Sequence, residues 1–280
     1  MLSAGLVSNT FTHPLSVASH NAVKNKRSFL AWVNFRKPFS GYLPTLIYGP
    51  VLSGEYFFLQ DSLDTYLKPK LIENMKMSES KAEFTVTEIA GFLYGMTSGP
   101  LNAVQRHVWN HPGSTFYYSA SAMFKEAGLY PFYKGIASSA LGGAVFSATY
   151  QLIRSSINNM LVTRENQGSL YATVPGNTVA AMSASVAASP FYYVRFMQQI
   201  TAPGEKQRSM AKIVKATWNE MPPKDKLISR LGFLCTRLDF CPMALRAGLG
   251  VTVGQTIYDV VRNAFDKPEE TLPSTASRLS

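Results

Sequence analysis

Residues 135–153 read GIASSALGGAVFSATYQLI and carry no charge between Lys134 and Arg154. The run approaches the roughly 20 residues that an α-helix needs to cross a bilayer. It is rich in Gly, Ser, Thr and Tyr rather than in Leu and Ile, which is typical of a helix lining a polar cavity and not of a single-pass anchor. The stretch therefore predicts a membrane-spanning helix within a bundle.

Five further stretches are nearly free of Asp, Glu, Lys and Arg. They cover residues 1–23, 39–60, 89–105, 166–194 and 240–258, and the only charges inside them are Glu55 and Arg246. Hydropathy alone leaves two explanations of the six stretches open, a soluble protein with apolar core helices and a six-span membrane protein.

The charges of the connections separate these explanations. Connections 24–38, 106–134 and 195–239 carry +5, +2 and +5, whereas the second, the fourth and the C-terminal segment carry −2, +1 and −1. Basic connections that alternate with hydrophobic segments are expected when positive loops stay on the side from which insertion is driven. The pattern predicts six spans with both termini on the less basic side.

Composition excludes several classes of function. Two cysteines without a CxxC or Cys/His cluster predict neither a disulfide framework nor a metal site. Because no Ser-His-Asp or paired-carboxylate spacing stands out, we expect no enzyme, no catalytic residue and no cofactor. The net charge of +10 leaves a soluble nucleic-acid binder open as an alternative, which would need a basic patch on one folded face; the leading interpretation has no nucleic-acid partner.

A proline recurs in the first, third and fifth stretches, at Pro14, Pro100 and Pro190. The spacings are 86 and 90 residues, and each proline is followed by a basic connection and an aromatic or Gly/Pro start to the next stretch. Such a period indicates one helix pair used three times. Proline inside a helix removes a backbone hydrogen bond, so we expect a kink at all three positions.

Three motifs in this order resemble the mitochondrial carrier family. They are Thr12-His13-Pro14-Leu15-Ser16-Val17, then Tyr133-Lys134-Gly135, then Tyr258-Asp259-Val260-Val261-Arg262. The resemblance covers roughly residues 5–262. It implies an all-α membrane protein with six transmembrane helices, arranged as three two-helix repeats with pseudo-threefold symmetry and short matrix-side helices.

The expected repeats are residues 1–65, 83–160 and 172–265. Residues 266–280 are expected to form a disordered tail, because acidic residues are followed there by small and hydroxyl side chains. The tail also resembles the C-terminal signals of bacterial type IV secretion substrates. In that case the protein would be a bacterial effector acting in a host mitochondrion; an ordinary solvated tail is the alternative.

The resemblance implies two gates at opposite ends of a central cavity, but most charges of the family's gate motifs are replaced here. The matrix-side gate would use Ser16, Ser19, Asn102, Gln105, Tyr192, Arg195 and Gln199. The cytoplasmic-side gate would use Asp61, Tyr258, Asp259 and Arg262. Neutral hydrogen bonds contribute about 0.5–1.5 kcal/mol each against about 1.5–3 kcal/mol for charged ones. We therefore expect weak gates and a tendency toward uniport.

Arg246 stands where the resemblance places a substrate contact on the sixth helix. An intramembrane cation is costly unless it faces a cavity or a partner, so Arg246 either captures an anionic group or pairs structurally with Glu55. The corresponding contacts on the second and fourth helices are Tyr48 and the pair Gly142 and Gly143. Tyr48 is expected to stack on a base or to pack in the core, and the glycines to admit a planar ligand or a neighbouring helix.

The resemblance also implies lipid sites, a location and a function. Gly41 and Gly135 match positions where helix N-termini face the phosphates of cardiolipin. The expected location is the mitochondrial inner membrane, as a multi-pass monomer. The expected function is transport of a small anionic metabolite, first of all ATP or ADP, by alternating access. The alternative is a transport-inactive carrier-like scaffold that binds proteins or lipids.

Overall fold

The computed structural model describes residues 2–111, 113–161, 170–222 and 227–265, and every regular element in those ranges is a helix. The all-α class expected from the sequence is therefore confirmed. The predicted tail at residues 266–280 lies outside the described residues.

The long helices coincide with the six uncharged stretches. They are α1 (Leu2–Lys24), α2 (Tyr42–Tyr66), α4 (Glu79–Thr97) continued by α5 (Gly99–Asn110), α7 (Ile136–Leu161), α8 (Leu170–Gln199) and α11 (Phe240–Phe265). Most extend past the charges that bound the stretches, because a helix continues wherever its charged side chains find water or a cavity.

Shorter helices occupy the connections. They are a 3₁₀ turn at Trp32–Phe35, α3 (Lys68–Met75), α6 (Phe116–Ala127), a 3₁₀ turn at Tyr130–Tyr133, α9 (Met210–Asn219) and α10 (Leu227–Arg237). Thr115 and Ser209 cap α6 and α9 by accepting the backbone N–H of Tyr118 and Lys212. The first basic connection is the shortest of the three and holds only the 3₁₀ turn.

The long helices form a closed ring. Each packs against the next one along the chain, with α4 in the third position, and α11 packs back against α1. Small residues bring α4 and α7 into close contact. A Cβ on Gly91 would lie 2.7 Å from the Gly143 carbonyl oxygen, and a Cβ on Gly95 would lie 2.8 Å from the Ala140 Cα. Backbones this close leave room only for glycine.

The three repeated prolines have different local effects. Pro14 and Pro190 lie inside α1 and α8. Pro100 instead follows a break, because α4 ends at Thr97 and α5 begins at Gly99, with Pro100 in its first turn. Proline is tolerated in a first turn, where its missing N–H would have no partner in the helix.

The second, fourth and sixth long helices of the ring begin in the same way. The residues directly before α2, α7 and α11 are Gly41, Gly135 and Asp239, with φ of 66°, 78° and 59°. This left-handed backbone suits glycine and is strained for most other residues. The corner before α11 therefore carries a carboxylate, whereas the corners before α2 and α7 are glycines.

Large apolar side chains are exposed on every member of the ring. On α2, Leu43, Ile47 and Phe58 are 71, 70 and 72% exposed. The buried residues are instead rich in Ala and Ser and include His13, His20, Gln105, Asn177 and Gln198. Soluble proteins keep most polar side chains in water, so the buried polar residues and the exposed large apolar ones both depart from that arrangement.

Among the described residues, one helical stretch is both long and apolar enough to cross a bilayer by itself, Tyr130–Ile157. It contains the stretch from residue 135 to 153. The described Phe240–Gly254 part of α11 is also apolar but is shorter than a bilayer span.

Candidate functional site

A cavity of about 360 Å³ lies inside the ring. Its walls come from the C-terminal halves of α1 and α8, from α4 and α5, and from the N-terminal halves of α2 and α11. It therefore occupies the end of the ring where the first, third and fifth long helices finish and the second, fourth and sixth begin. Small-molecule sites usually enclose about 300–1,000 Å³, so the space suits a metabolite.

Three arginines and one aspartate are the charged residues among the described lining. They are Arg106 on α5, Arg195 on α8, Arg246 on α11 and Asp239 at the corner before α11. Taking histidines as neutral, the lining carries three positive charges and one negative charge. Like charges repel in a low-dielectric space, so the cavity favours an anion that neutralises the excess.

Two of these guanidinium groups have hydrogen-bonding capacity to spare. Arg106 lies over the Phe196 ring at 4.7 Å, and its buried Nη1 has no hydrogen-bond partner among the described residues. Arg195 donates from Nη1 to the Ser139 Oγ at 3.0 Å, and its buried Nε has no partner in the same part of the chain. Buried donors without partners are costly, and an anion with several oxygen atoms would satisfy them.

Arg246 is half-buried and faces the cavity. Its Nη1 donates to the Ser16 Oγ across the α1 and α11 boundary at 3.3 Å. The ion pairs found among the described residues do not include one with Glu55. Between the two interpretations of Arg246, the geometry favours the one in which the cation is available to a ligand.

Asp239 is the counter-charge at one end of the cavity. Its Oδ2 accepts a short hydrogen bond from the Ser19 hydroxyl of α1. Burial raises the pKa of Asp239 to about 6, while the Ser19 hydrogen bond and the charges of Arg246 and Arg106 act to lower it. The carboxyl group is therefore able to change protonation in mildly acidic solution.

Aromatic rings form another part of the wall. His20 packs edge-on against Trp109 and Phe196, with ring centroids 5.1 and 5.3 Å apart, and its Nε2 lies 3.2 Å from the Asn110 Oδ1. His13 packs on Trp109 and on Tyr42 in the same way. These contacts hold rings and cations in one surface, which suits a ligand having both an anionic and a planar part.

Six of the seven proposed matrix-gate residues line this cavity; Gln199 does not. Their described hydrogen bonds run to other groups and not to one another. Asn102 bonds the Ser98 carbonyl, Gln105 bonds the Gly41 carbonyl at 3.2 Å, and Gln199 bonds the Lys134 carbonyl. Ser16, Ser19 and Arg195 bond the partners given above, and Tyr192 lies 4.9 Å from the Arg195 guanidinium carbon. The gate network remains a prediction.

The three other proposed substrate contacts lie in different surroundings. Tyr48 lines the cavity and packs on Phe116 with ring centroids 5.7 Å apart. A Cβ on Gly142 would touch the Tyr192 ring at 2.8 Å, and a Cβ on Gly143 would overlap the Gly91 carbonyl oxygen. The surroundings of both glycines favour a close helix contact over a ligand contact.

The proposed cytoplasmic gate is only partly visible. Asp61 is exposed near the end of α2. Tyr258, Asp259 and Arg262 belong to α11, but their side chains lie outside what the structure describes.

Both glycines of the proposed lipid sites make hydrogen bonds within the protein, and the one at Gly135 uses the amide that a lipid phosphate would need. The Gly41 carbonyl accepts from Gln105, and the Gly135 amide donates to the Gln207 Oε1 at 3.3 Å. Next to Gly135, the buried Lys134 donates from Nζ to the Ala202 carbonyl at 2.5 Å. Burial lowers the Lys134 pKa, and the charges of Glu205 and Glu126 oppose that shift. A lipid phosphate at Gly135 would have to displace Gln207.

Sequence reasoning missed Arg106 and Asp239 as cavity residues. Both were assigned to connections, as was Arg195, although Arg195 was also predicted in the gate. The structure instead places Arg106 inside α5 and Arg195 inside α8. One signal could have identified Arg106, which is its spacing from the repeated proline. Arg106 comes six residues after Pro100, much as the gate residue Arg195 comes five residues after Pro190.

No protein-family model matches the chain, and the search of curated proteins finds no match. The likeness to mitochondrial carriers therefore depends on the motifs and remains a prediction. The site itself defines a chemical class, which is a cavity inside a helical ring that favours anions.

The stability of the fold should depend on pH through Asp239. Its folded pKa of about 6 lies above the ordinary value of 3.8, so its contribution is fully present below about pH 4 and is lost as the pH rises through about 6. The loss is on the order of 2–3 kcal/mol. Relative to Asp239→Asn, the wild type should therefore become less stable between pH 4 and pH 7, as measured by thermal unfolding. A constant difference between the two proteins over this range would contradict the assignment.

Proposed function

We propose that the protein is a membrane carrier that moves a small anion through the ring of long helices by alternating access. The observation that carries the proposal is the closed ring around a cavity lined by Arg106, Arg195, Arg246 and Asp239. A soluble core would be expected to exclude three cations, whereas a substrate path uses them.

We propose six membrane spans, arranged as three two-helix repeats with pseudo-threefold symmetry. The left-handed residues before α2, α7 and α11 support the threefold repeat. Exposed apolar side chains and a polar interior support contact with lipid.

The proposed substrate is an anion with at least two negative charges, and a nucleotide such as ATP or ADP is the first candidate. Guanidinium groups bind phosphate oxygens with two parallel hydrogen bonds, and Arg106 and Arg195 have unused donors. The rings of Tyr48, Trp109 and Tyr192 offer apolar surface to a base. Phosphate and di- or tricarboxylates satisfy the charge requirement without using the rings.

In the proposed cycle, the substrate supplies the free energy that shifts the ring between two states. Substrate bound between α5, α8 and α11 would draw the first, third and fifth long helices of the ring together. The matrix-gate residues would then exchange their present hydrogen-bond partners for one another. Since Arg195 is the only charged member of that gate, the closed state gains little stability of its own. We therefore propose uniport, or leakage, more readily than strict exchange.

The location and partners are proposals from the motifs and the alternating charge. The protein would be a multi-pass monomer of the mitochondrial inner membrane, and the mitochondrion would be a host's if the C-terminal segment is a secretion signal. Its lipid partner would be an acidic lipid such as cardiolipin, bound at Gly41 and Gly135. Carbonate extraction of membranes from expressing cells tests the first point. Release of the protein without detergent would support the soluble alternative.

Transport is tested with purified protein in liposomes. Labelled ATP, ADP, phosphate, and di- and tricarboxylates are offered one at a time, with and without internal substrate. We expect saturable uptake of at least one multivalent anion, with a measurable rate into liposomes that contain no counter-substrate. An absolute requirement for internal substrate would contradict the weak gate. Absence of uptake for every anion would contradict the transporter.

The carrier-like scaffold is the second candidate. It is favoured by the matrix-gate residues bonding other groups and by exposed aromatic side chains on α6, such as Tyr117 at 84%. A scaffold would show no uptake and yet remain in membranes after carbonate extraction, which distinguishes it from both other functions.

A further inference from the structure

The only two cysteines of the chain lie together at the junction of α10 and α11. Cys235 is in the last turns of α10 and Cys241 in the first turn of α11. Both are free thiols, and the Cys241 Sγ donates to the Cys235 Sγ at 2.9 Å. A disulfide requires about 2.05 Å between sulfurs, so a movement of less than about 1 Å joins them.

We propose that Cys235 and Cys241 form a redox-active dithiol that oxidises to an intramolecular disulfide and clamps α10 onto α11. A low-molecular-weight disulfide of the glutathione class is the oxidant. The proposal concerns the folded chain and does not depend on whether the chain transports.

The accessibility of the two thiols sets the order of events. Cys241 is exposed, whereas Cys235 is half-buried. The hydrogen bond to Cys235 and burial raise the pKa of Cys241 to about 11, so its attack is slow at neutral pH and becomes faster as the pH rises. The Cys241 thiolate attacks one sulfur of oxidised glutathione, the glutathione disulfide bond breaks, and one glutathione thiolate leaves. The Cys235 thiolate then attacks the Cys241 sulfur of the mixed disulfide and displaces the second glutathione. Two protein thiols lose two electrons, and their two protons end on two glutathione thiols.

The clamp acts on a weakly attached element beside the cavity. In the described residues, α10 packs on α1 and α11, and its charged anchor is the Arg237 bond to Glu220 at 3.2 Å. The bridge would close a short loop that contains Asp239, the strained residue at the corner of α11. Oxidation would therefore fix both α10 and the backbone that presents the Asp239 carboxylate.

The first experiment follows the two thiols in the purified full-length protein. After incubation with oxidised glutathione and trapping with an alkylating reagent, we expect both thiols of the wild type to be lost together, with a mass decrease of two hydrogen atoms. Cys235→Ser should retain one glutathione on Cys241, and Cys241→Ser should be modified more slowly. A wild type that accumulates bound glutathione or a disulfide-linked dimer would overturn the proposal.

The second experiment separates the effect of the fold from mere closeness in sequence. If the fold positions the sulfurs, the oxidation equilibrium against glutathione should favour the disulfide at least tenfold more in native protein than in denaturant. The oxidised protein should also unfold about 5 °C higher than the reduced protein, while the Cys235→Ser, Cys241→Ser double variant should not respond to oxidant. Equal equilibria in the two solvents, or an unchanged unfolding temperature, would refute the clamp.

Discussion

Replacing Arg106 by glutamine is expected to lower uptake of the anionic substrate by at least tenfold while leaving the fold intact. A hydrogen bond to a charged group contributes about 1.5–3 kcal/mol, which corresponds to about 10- to 150-fold in rate or affinity. The buried Nη1 of Arg106 has no partner within the described ranges, so this donor is available to the substrate. Arg246→Gln should give a loss of similar size.

The stability of these variants distinguishes a ligand-binding role from a structural one. Three cations share the cavity with one carboxylate, so removing one reduces repulsion. The unfolding temperature of Arg106→Gln without substrate should therefore stay the same or rise, and the stabilisation that substrate confers on the wild type should shrink. Arg154→Gln is the matched control, because Arg154 is exposed on α7 and does not line the cavity.

Two outcomes would contradict this role of Arg106. One is uptake within about twofold of the wild type in Arg106→Gln. The other is an unfolding temperature several degrees lower in the absence of substrate, which would mean that the guanidinium holds the helices together. In that case the cation contact with Phe196 would be its main role.

The helices could be predicted from the sequence because their signal is repeated. Six stretches nearly free of charge predict six long helices, and three prolines at nearly equal spacing indicate that these helices come in pairs. The observed ring has six members. Periodic features survive the divergence of individual residues. The all-α class therefore followed from the pattern alone.

Arg106 shows why the cavity was predicted less completely. A run without charges ends at the first charge, so this arginine marked the end of the third stretch, although α5 continues to Asn110. A charged side chain ends a span only if it faces lipid; facing a polar cavity, it leaves the helix unbroken. Sequence alone does not reveal which way the residue faces until its neighbours in the ring are known.

Asp239 illustrates a second limit. Its role depends on a contact with Ser19, 220 residues away. It also has the left-handed backbone that Gly41 and Gly135 have directly before α2 and α7. An aspartate in a basic connection resembles a solvated charge, and its place in the cavity lining is visible only in the folded chain.

The second large effect is expected at Gly143, where alanine should destabilise the fold by about 1–3 kcal/mol and lower the unfolding temperature by about 2–6 °C. The added Cβ would overlap the Gly91 carbonyl oxygen, a backbone atom that moves only if α4 and α7 separate. Gly254→Ala is the control in the same ring, since its Cβ would lie 3.9 Å from the Ser8 Cβ, an ordinary contact. Alanine in a helix interior is otherwise favourable.

This pair of variants also decides between the two interpretations of the glycines. A close helix contact predicts that Gly143→Ala loses stability with or without substrate, because the clash lies between backbones. A ligand contact predicts an unchanged unfolding temperature in the free protein and weaker binding of the anion. Gly142→Ala should lie between these cases, because its Cβ meets the Tyr192 ring, a side chain that is able to move and that lines the cavity.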